Sequence, residues 1–130
     1  MELMKKILII DDNEDILVMF EQLLLDQGFN VSTAINGITG IELFKRESFD
    51  LVITDINMPG IIGFDVVENI KNGFMTVPII LMSADYLPVE PDNVKKLGVN
   101  AIISKTIDDN DFCEVIRCCL EDKVYESKIF

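Results

Sequence analysis

Asp11 and Asp12 close the apolar stretch KILIIDD, and Asp55 ends the apolar run of LVITDINMPG with Asn57 two positions later. Ser83 follows IILM and Lys105 follows AIIS. Polar groups able to do chemistry thus stand where apolar runs of strand length stop. That is how a buried parallel strand reads when its carboxyl end opens into a ligand crevice.

The chain contains no histidine, which removes serine or cysteine nucleophiles that depend on an imidazole base and any histidine metal site. Chemistry has to run on carboxylates, hydroxyls, lysine and a metal bound through oxygen. Two like charges about 4 Å apart at an effective dielectric of about 20 repel by roughly 4 kcal/mol, a large share of a folding stability of about 5–15 kcal/mol. Converging Asp11, Asp12 and Asp55 therefore call for a cation, or for protonation. An all-oxygen set suits a hard ion, Mg²⁺ or Mn²⁺, which also binds phosphate. Asp55 is the natural nucleophile, because a carboxylate forms an acyl phosphate and phosphoryl transfer needs mainly positioning and charge neutralisation. The cation, Lys105 and the Ser83 hydroxyl would surround the phosphoryl oxygens. Asn57 would offer its backbone carbonyl to the metal, and Pro59-Gly60 would turn the chain away. Taken singly, each residue has a plainer reading as a turn former, a cap or a surface lysine. Their joint occurrence at four strand ends favours the pocket.

Such a pocket requires strands that share one edge. Five candidates, at 7–10, 31–34, 51–54, 79–82 and 101–104, alternate with helical patterns, which predicts an α/β fold with a doubly wound five-stranded parallel sheet and helices on both faces. The strand at 31–34 is the least apolar and reads as an edge. A first helix capped by Asn13 or Asp12 carries Ile16, Phe20, Leu23 and Leu24 at helical spacing and stops at Gly28. A second covers about 38–46, with Gly40 allowing close approach, and a third about 64–71. Pro88 and Pro91 restrict a fourth to about 91–97, with Gly98 just past its end. The last begins near Asp109, buries Phe112, Val115, Ile116, Cys119 and Leu120, and frays into a charged tail over 122–130.

The chain has 130 residues, 49% of them hydrophobic, enough for one core without disulfide or structural metal. Its 23 acidic against 11 basic residues give a formal charge of −12, which disfavours direct binding of nucleic acid. No apolar run reaches membrane-span length and the N-terminus lacks a signal-peptide core, so no membrane insertion and a cytoplasmic location are expected. Cys113, Cys118 and Cys119 lack zinc or disulfide spacing and read as buried or half-buried helix thiols.

These motifs, in this order and spacing, resemble the receiver domain of two-component response regulators. The resemblance covers essentially the whole chain: Asp-Asp, AspIleAsnMetProGly with Gly63, MetSerAla and a strand-end lysine. It implies a flavodoxin-like sheet in order 2-1-3-4-5 with five helices, a single stand-alone receiver over 1–130 of the chemotaxis-regulator type, and no effector domain. It further implies that Asp55 accepts phosphate from a histidine kinase or histidine phosphotransfer protein. Asp12, Asp55 and the Asn57 carbonyl would bind Mg²⁺ directly and Asp11 through water, with Ser83 the switch hydroxyl and Lys105 the phosphate-pairing lysine. The protein would promote its own phosphotransfer and dephosphorylation without being an enzyme on other substrates. It would act on an unnamed protein target as a monomer or weak homodimer.

The chain departs from the family pattern at Thr106, where a proline usually follows the lysine, and at Ile102, where a Tyr or Phe usually stands. An aliphatic side chain has no ring to swing, so coupling from Ser83 is expected to be weak or differently routed. The prolines near 88–91 alter a face that many receivers use for output. Small polar groups at Asn57 and Asp85 predict a short-lived phosphoryl state. Ile16 and Met19 are candidates for an apolar docking patch or for core. Two other functions compete: a receiver-like interaction module that works without phosphorylation, and a Mg²⁺-dependent phosphohydrolase. The phosphohydrolase lacks a second acidic residue two positions after Asp55, where Asn57 stands.

Overall fold

The computed structural model describes residues 4–58, 60, 63–73, 77–84 and 97–121. In chain order these form β1 (Lys6–Ile10), α1 (Glu14–Asp26), β2 (Asn30–Ala34), α2 (Gly37–Arg46), β3 (Leu51–Asp55), α3 (Gly63–Lys71), β4 (Ile79–Ser83), β5 (Ala101–Ser104) and α4 (Asp109–Leu120). The helix expected at about 91–97 (apart from Leu97), the tail at 122–130, Pro59 and Asp85 fall outside the described residues.

All strands are parallel, in the order β2-β1-β3-β4-β5. The reversal between β1 and β3 is the reason the crevice lies at their carboxyl ends: the chain leaves β1 toward one side of the sheet and β3 toward the other. β3 and β4 are buried at every position, whereas β2 reads exposed, half-buried, half-buried, half-buried, buried, as an edge strand should.

Strand side chains alternate between two cores. Ile7, Ile9, Leu51, Ile53, Ile80, Met82 and Ile103 pack beneath α1 and α4, where the rings of Phe20 and Phe112 meet at 4.6 Å between centroids. Leu8, Ile10, Val52, Ile79, Leu81 and Ile102 pack beneath α2 and α3 on the opposite face. Period-two alternation within a continuous apolar run is what fills both layers.

The helix boundaries have local causes. Asn13 caps α1, its side-chain oxygen accepting from the N–H groups of Asp15 and Ile16, and Asn36 caps α2 by accepting from Thr39. After α1 the chain reverses through Gly28, whose φ of +91° is readily adopted only without a Cβ. Gly40 lets α2 sit directly on Ile10: a Cβ there would fall 2.7 Å from Ile10 Cγ1. Ile16 is half-buried against the first core while Met19 remains 46% exposed, so Met19 is the more open of the pair. On α4, Cys119 is buried, and Cys113 and Cys118 are half-buried. Among the described residues no helix is long and apolar enough to cross a membrane.

Candidate functional site

Backbone register brings the chemically capable residues together. Ile10 pairs with Thr54 and Asp55 with Met82, while Ser83 pairs with Ser104. Strands that end level in this way present Asp11, Asp55, Ser83 and Lys105 along one rim. One carboxylate oxygen from each of Asp11, Asp12 and Asp55 lies within 4.8 Å of the others.

Burial differs sharply across this cluster. Asp11 is 0% and Asp55 2% exposed, whereas Asp12 and Asn57 lie open at the mouth. Lys105 reaches across from β5, placing Nζ 2.9 Å from both Asp11 Oδ2 and Asp55 Oδ2. Its hydrogen bond is directed at Asp55. Asp11 Oδ2 meets the ammonium as an ion contact without hydrogen-bond alignment, and no aligned partner reaches this fully buried oxygen. The remaining oxygens close tight turns, Asp11 Oδ1 accepting from Asn13 N at 2.9 Å and Asp55 Oδ1 from Asn57 N at 3.2 Å.

Three carboxylates around one ammonium leave an excess of negative charge, and a buried carboxylate oxygen without a directed donor is costly. Both point to a cation, and the oxygen-only donor set fits a hard divalent ion. Burial pushes the Asp11 carboxyl above its usual range, and the Asp55 charge adds to this, against lowering by Lys105 and the Asn13 N–H. At Lys105 burial acts downward, but the close contacts and negative charges of Asp11 and Asp55 outweigh it and raise the ammonium above its ordinary value.

These shifts fix the sign of the pH dependence. Asp11 takes up its proton more readily in the folded state. Its stabilising effect is therefore complete below its unfolded value of 3.8 and lost as pH rises through the higher folded value. Without metal, the buried Asp11 carboxyl therefore favours the fold less at neutral pH than in acid. Asp11→Asn is expected to raise the metal-free thermal midpoint at pH 7, and Mg²⁺ should stabilise wild type more than the variant. Melting curves from pH 4 to 8 check this; a lower midpoint for the variant at pH 7 would reverse the assignment. Lys105 contributes in full below 10.5, and its contribution is lost only as pH rises through its raised folded value.

Some positions that shape the pocket carry no charge and give little sign of chemistry in the sequence. Thr54 is fully buried and its hydroxyl donates to the Asp55 carbonyl at 3.2 Å. Gly63 packs against the backbone of Asp55 and Ile56, and its N–H donates to Ile56 O at 2.9 Å. Ile102 is 8% exposed in the second core, an aliphatic plug beneath the β4–β5 edge. No cis peptide occurs among the described residues, and Lys105 enters its loop with its N–H donating to Ser83 O at 2.9 Å.

A family model described as the response regulator receiver domain matches residues 7–117, from β1 to the last turn of α4. The chain belongs to the response regulator receiver family. Chemotaxis protein CheY-3 of Vibrio cholerae is 35% identical to this receiver over 103 residues, covering 77% of this chain and 79% of that protein. Among solved structures, the chemotaxis response regulator CheY4 of Vibrio cholerae aligns with a TM-score of 0.80 and 26% identity, covering 88% of this chain and 98% of its own. A response regulator receiver domain protein from Clostridium thermocellum aligns with a TM-score of 0.80 and 29% identity, covering 92% and 96%. This receiver is thus CheY-like, and the acidic cluster of Asp11, Asp12 and Asp55 matches the Mg²⁺-binding pocket typical of receivers.

Proposed function

We propose that this receiver takes a phosphoryl group from the phosphohistidine of a sensor kinase or phosphotransfer protein onto Asp55, and that the change alters a protein-binding surface. The observation that carries the reading is the Lys105 ammonium at 2.9 Å from both Asp55 and Asp11. It places a positive charge between two buried carboxylates and stands where a phosphoryl oxygen would need a counter-charge. In the transfer an Asp55 oxygen attacks phosphorus in line, the O–P bond forms as the donor's P–N bond breaks, and the electron pair returns to the imidazole ring. A divalent cation held by Asp11, Asp12, Asp55 and the Asn57 carbonyl would neutralise charge on the transferring group. Ser83 would donate its hydroxyl to a phosphoryl oxygen, and Lys105 would move from Asp11 toward the phosphoryl group. Differential contacts of this kind are what shifts a conformational equilibrium.

Incubation with Mg²⁺ and acetyl phosphate, followed by intact mass, tests the proposal. One added phosphate is expected. If none appears while another receiver labels in parallel, and beryllofluoride produces no spectral or thermal change, the alternative of a phosphorylation-independent interaction module is favoured. Exposed Asn57 at the mouth leaves water a path to the acyl phosphate, so the phosphoryl state is expected to be short-lived. Its decay after donor removal gives the lifetime, and persistence over many hours would contradict the expectation. A cytoplasmic location accords with donors of this class.

A further inference from the structure

The backbone N–H groups of residues 105–107 all have partners, and Ser104 supplies two of them. Lys105 N donates to Ser83 O at 2.9 Å, Thr106 N to Ser104 Oγ at 3.1 Å, and Ile107 N to Ser104 O at 3.1 Å. Ser104 Oγ and Thr106 Oγ1 lie 2.8 Å apart, either able to donate. Ser104 Oγ thus accepts from the Thr106 N–H and also shares a hydrogen bond with the Thr106 hydroxyl. These two bonds join Ser104 to Thr106 and close a ring around the Lys105 backbone. Ile107, 9% exposed in the first core, anchors the far end.

We infer that Ser104 and Thr106 are positioning residues for Lys105: the two bonds between them set the turn from which the ammonium reaches Asp55 and Asp11. Lysine alone makes this necessary. Its four-carbon stem is flexible, and it can bridge two carboxylates at 2.9 Å only if its Cα is held at a fixed distance from them. The ring supplies that constraint from side chains, through the Thr106 N–H, a donor that proline would lack. Neither hydroxyl bonds to a carboxylate of the cluster. Their effect passes through Lys105 and therefore falls on the phosphoryl group that it is proposed to grip, not on the cation held by the carboxylates.

The inference rests on the proposed phosphoryl chemistry, and the experiment keeps the two separable. Ser104→Ala and Thr106→Ala are compared with the conservative Ser104→Thr and Thr106→Ser, in wild type and in a Lys105→Ala background. The readouts are beryllofluoride affinity, the rate of labelling by acetyl phosphate, Mg²⁺ affinity and thermal midpoint. Each alanine variant should lose about tenfold in beryllofluoride affinity and labelling rate, with Mg²⁺ affinity unchanged. The hydroxyl-bearing variants should recover most of the loss. In the Lys105→Ala background the alanine substitutions should have no further effect, the non-additivity that marks residues acting through one another. Equal losses with and without Lys105, or labelling like wild type in both alanine variants, would overturn the inference. If wild type itself takes up neither phosphate nor beryllofluoride, the proposed function fails, and the inference falls with it.

Discussion

Asp55→Asn should abolish phosphate incorporation, and removing divalent cation from the wild type should slow it by about a hundredfold or more. The amide keeps the shape of the carboxylate but is a far weaker nucleophile, and no other buried group of the cluster is so placed. Asp55 is the carboxylate to which Lys105 directs its hydrogen bond, with its second oxygen oriented by the Asn57 N–H. The cation effect has a different origin. A phosphoryl donor is anionic and must approach three carboxylates served by one ammonium, and each 1.4 kcal/mol of repulsion left standing costs a factor of about ten in rate. Metal neutralisation is worth several kcal/mol, hence the expected magnitude. Intact mass after acetyl phosphate treatment, with Mg²⁺ and with chelator, gives both numbers. Labelling of Asp55→Asn at the wild-type rate would move the acceptor elsewhere, and labelling unaffected by chelator would remove the metal from the chemistry.

Gly63→Ala should be among the most destabilising single-methyl additions in the described part of the chain. The added Cβ would collide with the Asp55 carbonyl oxygen and lie 2.8 Å from Ile56 Cα and 3.0 Å from the Asp55 carbonyl carbon. All three are main-chain atoms, so relief requires moving β3 or α3. Overpacking of this kind costs about 1–3 kcal/mol, which lowers the thermal midpoint by roughly 3–15 °C in a domain of this size. Because the displaced backbone carries Asp55, labelling should also slow. Gly40→Ala is the matched control: its Cβ meets the Ile10 side chain rather than backbone, and a rotamer change can absorb part of the clash. Urea unfolding of the two variants should rank Gly63→Ala clearly below Gly40→Ala. The reverse order would mean that the β3–α3 junction yields more easily than its backbone contacts imply.

The two substitutions act on different layers of one device. Asp55 supplies the reacting oxygen, while Gly63 allows α3 to begin against the strand that carries it. A receiver needs both, since an acceptor displaced by even about 1 Å loses the alignment on which transfer depends.

The strands were legible because a parallel sheet covered on both faces keeps its central strands apolar until their carboxyl ends, and IILM and LVIT admit few other readings. The edge character of β2 showed in Ser32 and Thr33 for the same reason. Helix stripes such as Phe112, Val115, Ile116 and Cys119 were equally plain, since burial follows helical period. The N-cap of α1 stayed open between Asp12 and Asn13 because both side chains can accept the same bonds. Asn13 takes the cap, while Asp12 joins the acidic cluster. Ile16 and Met19 could not be separated from sequence either, because each lies near the border of the apolar stripe and the packing of α1 decides how far each is covered.

By itself the sequence determined the parallel α/β layering, the strand ends at which Asp11, Asp12, Asp55, Ser83 and Lys105 stand, and the kinship with receivers. All of these follow from local pattern and residue type. Only the tertiary structure decided that Lys105 lies equally near Asp11 and Asp55, that Asp11 Oδ2 is buried without an aligned donor, and that Gly63 rests on the Asp55 backbone. The same holds for the hydroxyl ring of Ser104 and Thr106 that closes around the lysine. The physical reason is range: pattern records which face a residue buries, whereas distances across a rim depend on register and turn geometry summed over strands far apart in the chain.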